Sequence, residues 1–257
     1  MLSEQQSVSA ETLANHTPAG EKQASEIMSG LEKLSQPELI AETGFSSTLA
    51  AKLREMIYEF PNTTVGMEAI RAFTGVVFKA LDYDVLGATA QARCRHDVRI
   101  VSSLYGLLRP DDIIKPYRLD FTTHAAPNGE TLSAYWKKDV TIALVRTIRD
   151  GGFGEVLNLL PADAAKCIDW KIVKRFAKVW KTDFVEMTDA GKARTPGANK
   201  LKTMRGTLLR YILTHADIER IDGLAGIATD NFLPLNAETS KATGVAPRYP
   251  DQLTFLC

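Results

Sequence analysis

Residues 102–121, SSLYGLLRPDDIIKPYRLDF, decide how the rest of this chain is read. Ahead of them an arginine-interleaved run from about Thr89, through Arg93, Arg95 and Arg99, has helical character, and Gly106 and Pro110 break it. The stretch therefore reads as the end of a helix, a tight turn at Gly106 and a short second helix. Pro110 opens that second helix, since its fixed φ suits a first helical position. Asp111 and Asp112 fall in its first turn, where acids complement the helix dipole. An apolar, glycine-hinged hairpin between helices resembles the helix-hairpin-helix, whose free amides at a helix start face a phosphate. Arg109, Lys115 and Arg118 add charge at the same place, while the two aspartates would repel an anion. A second candidate hairpin is IERIDGLAGI, residues 218–227, hinged at Gly223 and Gly226.

Working outward toward the N-terminus, helices dominate. Ile27, Leu31 and Leu34 fall at i, i+4 and i+7, and Leu49, Leu53, Ile57 and Phe60 repeat the pattern behind Ser46 and Ser47, which suit an N-cap. Pro61 stops that helix. A third run from about Thr64 carries Met67, Ile70, Phe73, Val77 and Leu81. The first 20 residues are polar and read as a loosely attached N-terminus, frayed or disordered; residues 21–257 read as one domain.

Toward the C-terminus strands appear. A helix over 133–149 leads through Gly151 and Gly152 into EVLNLLP, a short apolar run that fits a buried strand. RFAKVWKTDFVEM alternates imperfectly at Phe176, Val179 or Trp180, and Phe184. GKARTPGANK reads as a loop, KLKTMRGTLLRYIL as a helix, and the terminal LTFLC as an edge strand. Helices first and strands afterwards predict an α+β fold: a helix-rich N-terminal part packed on a mixed sheet.

The chain has 257 residues and no net charge, with 31 Lys and Arg against 31 Asp and Glu. The charge is unevenly spread. Residues 1–90 hold 6 basic and 12 acidic side chains, whereas residues 166–210 hold 12 basic and 4 acidic ones. A local excess of this size is the footprint of a protein that meets a polyanion, because clustered cations release counterions condensed on phosphate. Hydrophobic content of 45% and charged content of 24% are ordinary for a globular protein and wrong for a disordered or collagen-like chain. No apolar run approaches a membrane span and no signal-peptide pattern opens the sequence, so a cytoplasmic protein without a membrane partner is expected.

Chemistry-bearing motifs are sparse. There is no GxSxG, HExxH, Walker loop or GxGxxG, so no cofactor is expected. His16, His96, His124 and His215 lie at no metal-ligand spacing with cysteines or carboxylates, and Cys94, Cys167 and Cys257 form neither CxxC nor a disulfide framework; no metal is expected. Cys94 is a redox candidate because Arg95 and Arg93 flank it and cations stabilise thiolate, provided that it is exposed.

The segments LYGLLRP, KPYRLDF, AYWKKDV around Trp136, LNL at Leu157–Leu159, and Lys202 with MRGTLLR are similar in order and spacing to the bacterial YaaA family of peroxide-stress proteins, and AIRAFTGVVFKAL at residues 69–81 also fits. The resemblance runs from about Ser46 to the C-terminus. It implies a mixed α/β fold particular to the family, DNA binding through a basic cleft and a helix-hairpin-helix, and a role in limiting iron-driven oxidative damage. Three departures accompany it. The family's apolar strand and SPAKTL become VSAETL at Val8–Leu13, with Glu11 in place of the lysine. Its Ser-x-Glu-Tyr becomes Pro161, Ala162, Asp163 and Ala164. Its C-terminal basic residue is missing, so any small-molecule active site built from those groups is not expected here.

These readings combine into one expectation: a peroxide-stress protein binding duplex or distorted DNA through phosphate contacts, with little sequence specificity. Gly106, Arg109, Lys115 and Arg118 would form the hairpin grip, and Lys166, Lys202, Arg205 and Arg210 would line the cleft. The alternative is an enzyme acting on a small phosphorylated or carboxylated metabolite in that cleft.

Overall fold

A computed structural model describes residues 16–63, 66–190, 192–215, 218, 220–226, 233–234 and 252–257. The chain clusters into two compact units. The first is drawn from Met1–Thr74, Cys94–Arg146 and Leu160–Ile172, the second from Gly75–Arg93, Thr147–Leu159 and Val173–Cys257.

The first unit opens with α1 (Glu21–Glu32), α2 (Gln36–Thr43) and α3 (Ser47–Glu59). Their ends are written in local chemistry. Ser35 and Glu38 form a reciprocal capping box at the start of α2, and Gly44 ends it in the left-handed region at φ 68°. Ser46 accepts from the Leu49 amide to cap α3. From α3, Arg54 donates to the carbonyls of Leu31, Glu32 and Leu34, satisfying the C-terminal end of α1. Ile27, Leu31, Leu39, Leu53 and Ile57 are buried between these helices. Of the polar first 20 residues, 16–20 are described and are held in place: the carbonyl of His16 accepts from the Ile113 amide, and Gly20 is so close to the Tyr105 carbonyl that no Cβ fits. Residues 8–13, including Glu11, lie outside the described residues.

Residues 100–121 depart from their sequence reading. The helix α6 (Ala88–Asp97) ends early, with Arg99 donating to the carbonyls of His96 and Val98. The chain then turns extended: β2 (Ile100–Ser102) pairs antiparallel with β3 (Gly106–Leu108), Ile100 opposite Leu108 and Ser102 opposite Gly106. The segment is a β-hairpin and the helix-hairpin-helix is not formed there. Two interactions favour the reversal. Ser102 Oγ accepts from the amides of Leu104 and Tyr105 and lies 2.8 Å from the Tyr117 hydroxyl, and Gly106 sits at φ 73° against the Trp136 ring. After Pro110 comes a turn, not a helix; Ile113–Ile114 (β4) pairs with Met67–Glu68 (β1). The predicted helix over 67–81 is likewise divided into β1, α4 (Ala69–Ala72) and α5 (Val76–Leu81), because the amides of Ala69 and Ile70 donate to Asp112 and Pro110. The long α7 (Leu132–Asp150) matches its prediction and delivers Trp136, whose Nε1 donates to the Ser103 carbonyl at 2.9 Å.

The second unit is built on a sheet of order β5 (Glu155–Asn158), β6 (Lys178–Met187), β9 (Gln252–Leu256) and β8 (Leu233–Pro234), with β7 (Ala193–Arg194) paired to the far end of β6. β5, β6 and β9 run parallel, and β8 is antiparallel to β9, so the sheet is mixed. β6 alternates imperfectly because it lies between β5 and β9, with Val179 and Trp180 both buried. LTFLC is an interior strand and not an edge, since β8 covers its other side. Beyond the short α8 (Trp170–Val173), the helix α9 (Ala198–Thr214) crosses α5 at Gly206, where a Cβ would run into the Val77 carbonyl and come within 2.7 Å of the Ala80 Cβ. Trp180, Phe184, Met204, Leu208, Leu224, Leu253 and Phe255 form the core between sheet and helix. The second hairpin candidate is a single 3-10 helix over Ile221–Gly226, and Ile227 lies outside the described residues.

Candidate nucleic-acid interface

Each cation named from the sequence has a definite place. In the first unit, Arg109 reaches Asp111 Oδ2 at 2.9 Å, and its backbone amide donates to Asp112 Oδ2 at 2.8 Å. Lys115 donates to the Phe60 carbonyl at 2.9 Å, lies over the Phe60 ring and has Glu21 at 3.8 Å. Arg118 is looser: half-exposed, 3.7 Å from Asp120 and 5.6 Å from the centre of the Phe45 ring. Lys166 is exposed on a 3-10 helix, Ala164–Cys167. Gly106 has a packing role beneath Trp136 and presents no helix start to a phosphate.

In the second unit Lys202 is exposed on α9. Arg205 is half-buried and engaged. Arg210 is structural: it donates to the carbonyls of Leu81 and Asp82 at 3.0 and 3.2 Å and meets the Asp82 carboxylate at 3.5 Å, closing the end of α5. Arg93 serves α9 in the same way through the carbonyls of Ile212 and His215. The space beside Gly206 is taken by α5 and not by a phosphate.

One polar group escaped the sequence reading. His16 Nδ1 lies 3.5 Å from Asp111 Oδ2, next to Arg109, Asp112 and Arg99. Burial raises the Asp112 carboxyl, against the pull of the Arg109 amide and guanidinium, and burial together with neighbouring Arg109 lowers Arg99. Asp111 and Asp112 are both under 9% exposed, and Asp111 Oδ1 has no hydrogen-bond partner among the described residues. The adjacent aspartates in RPDD were the available signal. Two guanidiniums here meet two carboxylates, which leaves no surplus charge for an anion.

Cys94 is fully buried, and burial pushes its thiol up to about 12 in spite of Arg95. The exposure that a redox cysteine requires is absent, and the cations that flank Cys94 in sequence do not offset its desolvation. Cys167 behaves alike. Among the described residues, no three His, Cys, Asp or Glu side chains are grouped as a metal would need, and no helix is long and apolar enough to cross a membrane.

Exposed cations are most closely spaced along residues 174–202 of the second unit. Lys174, Arg175, Lys178, Lys181, Lys192, Arg194, Lys200 and Lys202 of the second unit are all on the surface. Glu186 engages Arg194 and Lys200, at 2.8 and 2.7 Å, and these bonds hold its carboxyl below the usual range.

The sequence profile described as peroxide stress protein YaaA matches residues 2–236. The chain belongs to the YaaA family. It is 32% identical over 199 residues to a UPF0246 protein of Parabacteroides distasonis, covering 77% of each chain. Identity is 30% over 218 residues to a UPF0246 protein of Bacteroides thetaiotaomicron, covering 84% of this chain and 83% of the relative. A UPF0246 protein of Ruegeria sp. is 31% identical over 230 residues, at 89% and 87% coverage. In this YaaA-family chain the segments that announced the resemblance are largely packing segments. LYGLLRP makes the hairpin, AYW supplies its buried tryptophan, and KPYRLDF supplies Tyr117 and the Leu119 carbonyl that accepts from Ser103.

Proposed function

We propose that this peroxide-stress-family protein binds DNA through its sugar-phosphate backbone, with the exposed cations of residues 174–202 in the second unit as the contacting groups. The observation that carries the reading is their exposure, set against the internal use of Lys115 and Arg210 and the buried aspartate partner of Arg109. Of the cations that the sequence pointed to, Lys202 lies in this stretch, while Lys166 and Arg118 are exposed on the first unit. Contacts of this kind position the protein without reading bases, so binding tolerates sequence. The cavity beside Lys115, about 130 Å³ and lined also by Glu32, is smaller than the roughly 300 Å³ of ordinary ligand pockets and lends no support to the metabolite alternative at that place.

Fluorescence anisotropy with a labelled duplex, titrated with salt, tests the reading. Log affinity should fall linearly with log salt, and Lys202→Gln should reduce the slope by up to about 0.9 for the phosphate no longer neutralised. An affinity indifferent to salt, or no binding below about 100 μM at low salt, would remove the proposal.

A further inference from the structure

We infer that the turn at residues 174–177 and the start of β6 form a stacking site for an unpaired stretch of a DNA strand, with a base laid on Phe176 and its flanking phosphates on Arg175, Lys178 and Lys181. The inference rests on the DNA-binding reading and deepens it by naming the form of the nucleic acid. In KRFAKVWK, four of eight residues are cations and none is acidic, and all four cations are exposed. Phe176 stands among them with 43% of its surface open to solvent. A single exposed phenylalanine is ordinary on a protein surface. Its setting is the informative part: an exposed aromatic ring with exposed cations beside it along the chain provides the two elements that single strands need, a stacking platform and a track for phosphates.

The turn is held firmly enough to present the ring. Val173 is fully buried and its carbonyl accepts from the amides of Phe176 and Ala177, and the Lys178 amide donates to the Gly154 carbonyl at 2.9 Å. Val179 and Trp180 anchor the following strand in the core, and Lys178 Nζ lies 3.6 Å from the centre of the Trp180 ring. One acid beside the patch is Glu155, the strand partner of Lys178. Its two oxygens accept from Trp180 Nε1 at 3.0 Å and the Ile221 amide at 2.9 Å, and Arg220 lies 3.9 Å from it, so its charge is directed away from Lys178. A duplex stacks its bases internally and offers none to Phe176. An unpaired strand does, which is why this surface distinguishes the two.

The test compares a short oligo-dT strand with a blunt duplex of equal length in the same anisotropy assay, using the full chain. The strand should bind more tightly than the duplex. Phe176→Ala should weaken the strand about fivefold or more while leaving the duplex within about twofold, the scale expected for loss of one base–aromatic stack. Phe176→Trp should retain strand affinity and add tryptophan fluorescence that oligo-dT quenches. Unchanged urea midpoints in both variants confirm that the fold is kept. Equal binding of strand and duplex, both insensitive to Phe176→Ala, would overturn this inference and leave backbone binding intact; binding of neither would defeat the underlying reading itself. An oligo-U strand binding more tightly than oligo-dT, or polyglutamate displacing the strand as well as oligo-dT does, would also overturn it.

Discussion

Gly106 carries more of the first unit than its size suggests. It sits at φ 73°, and a Cβ there would lie 2.7 to 2.8 Å from the Trp136 ring. Gly106→Ala therefore combines left-handed backbone strain of about 1–2 kcal/mol with overpacking of about 1–3 kcal/mol, and should cost roughly 2–5 kcal/mol in urea unfolding. A drop under about 0.5 kcal/mol would mean that the hairpin does not press on Trp136. The buried thiols give a pH prediction. Burial raises Cys94 and Cys167 to about 12, whereas an unfolded cysteine titrates near 8.5. Below that lower value both states hold the proton and nothing changes. Between the two values the folded chain keeps a proton that the unfolded chain releases, so stability falls as pH rises, by up to about 1.4 kcal/mol per unit for each thiol. Cys94→Ala with Cys167→Ala should flatten the stability curve between about pH 9 and 10, whatever its effect at neutral pH. An equally steep curve in the double variant would place both thiols in water.

Arginines used as helix ends recur in this fold: Arg54 closes α1, Arg93 closes α9 and Arg210 closes α5. A last-turn carbonyl and a phosphate oxygen present the same acceptor to a guanidinium, so the one-letter sequence cannot separate the two uses. Arg210→Ala should cost about 1–2 kcal/mol of stability and leave DNA affinity within about twofold, with Arg210→Lys recovering only part of the stability. A large fall in affinity at unchanged stability would return Arg210 to the interface. The same reasoning marks what was legible in the chain. Helices α1, α3, α7 and α9 were readable because their apolar stripe is local, and α3 because Ser46 also caps it. The hairpin at 100–108 was not: its cause is the packing of Gly106 against Trp136, thirty residues away. β6 could be placed but not its burial on two sides, which follows from β9 arriving from the far end of the sequence. The uneven spread of charge was legible, but not which cations are used internally.

For the molecule as a whole, zero net charge conceals a division that association with a polyanion should make visible. Residues 1–90 are acidic by 6 and the remainder is basic by the same amount, so long-range attraction and repulsion nearly cancel beyond a Debye length of about 8 Å at physiological salt. Binding should then depend on short-range phosphate contacts, with modest electrostatic steering of the encounter. Two variant sets separate the contributing surfaces. Arg109→Ala with Arg118→Ala removes the hairpin cations, one of which is already matched to a buried carboxylate, and should change the salt slope by less than about 0.5. Lys178→Gln, Lys181→Gln and Lys192→Gln remove exposed cations and should lower the slope by up to about 0.9 for each phosphate no longer neutralised, reducing affinity most strongly below about 100 mM salt. Salt-titrated anisotropy on both sets decides between the surfaces. If the hairpin set lowers the slope and the lysine set does not, the anion meets the first unit, and the basic stretch of 174–202 serves only as a solvated face.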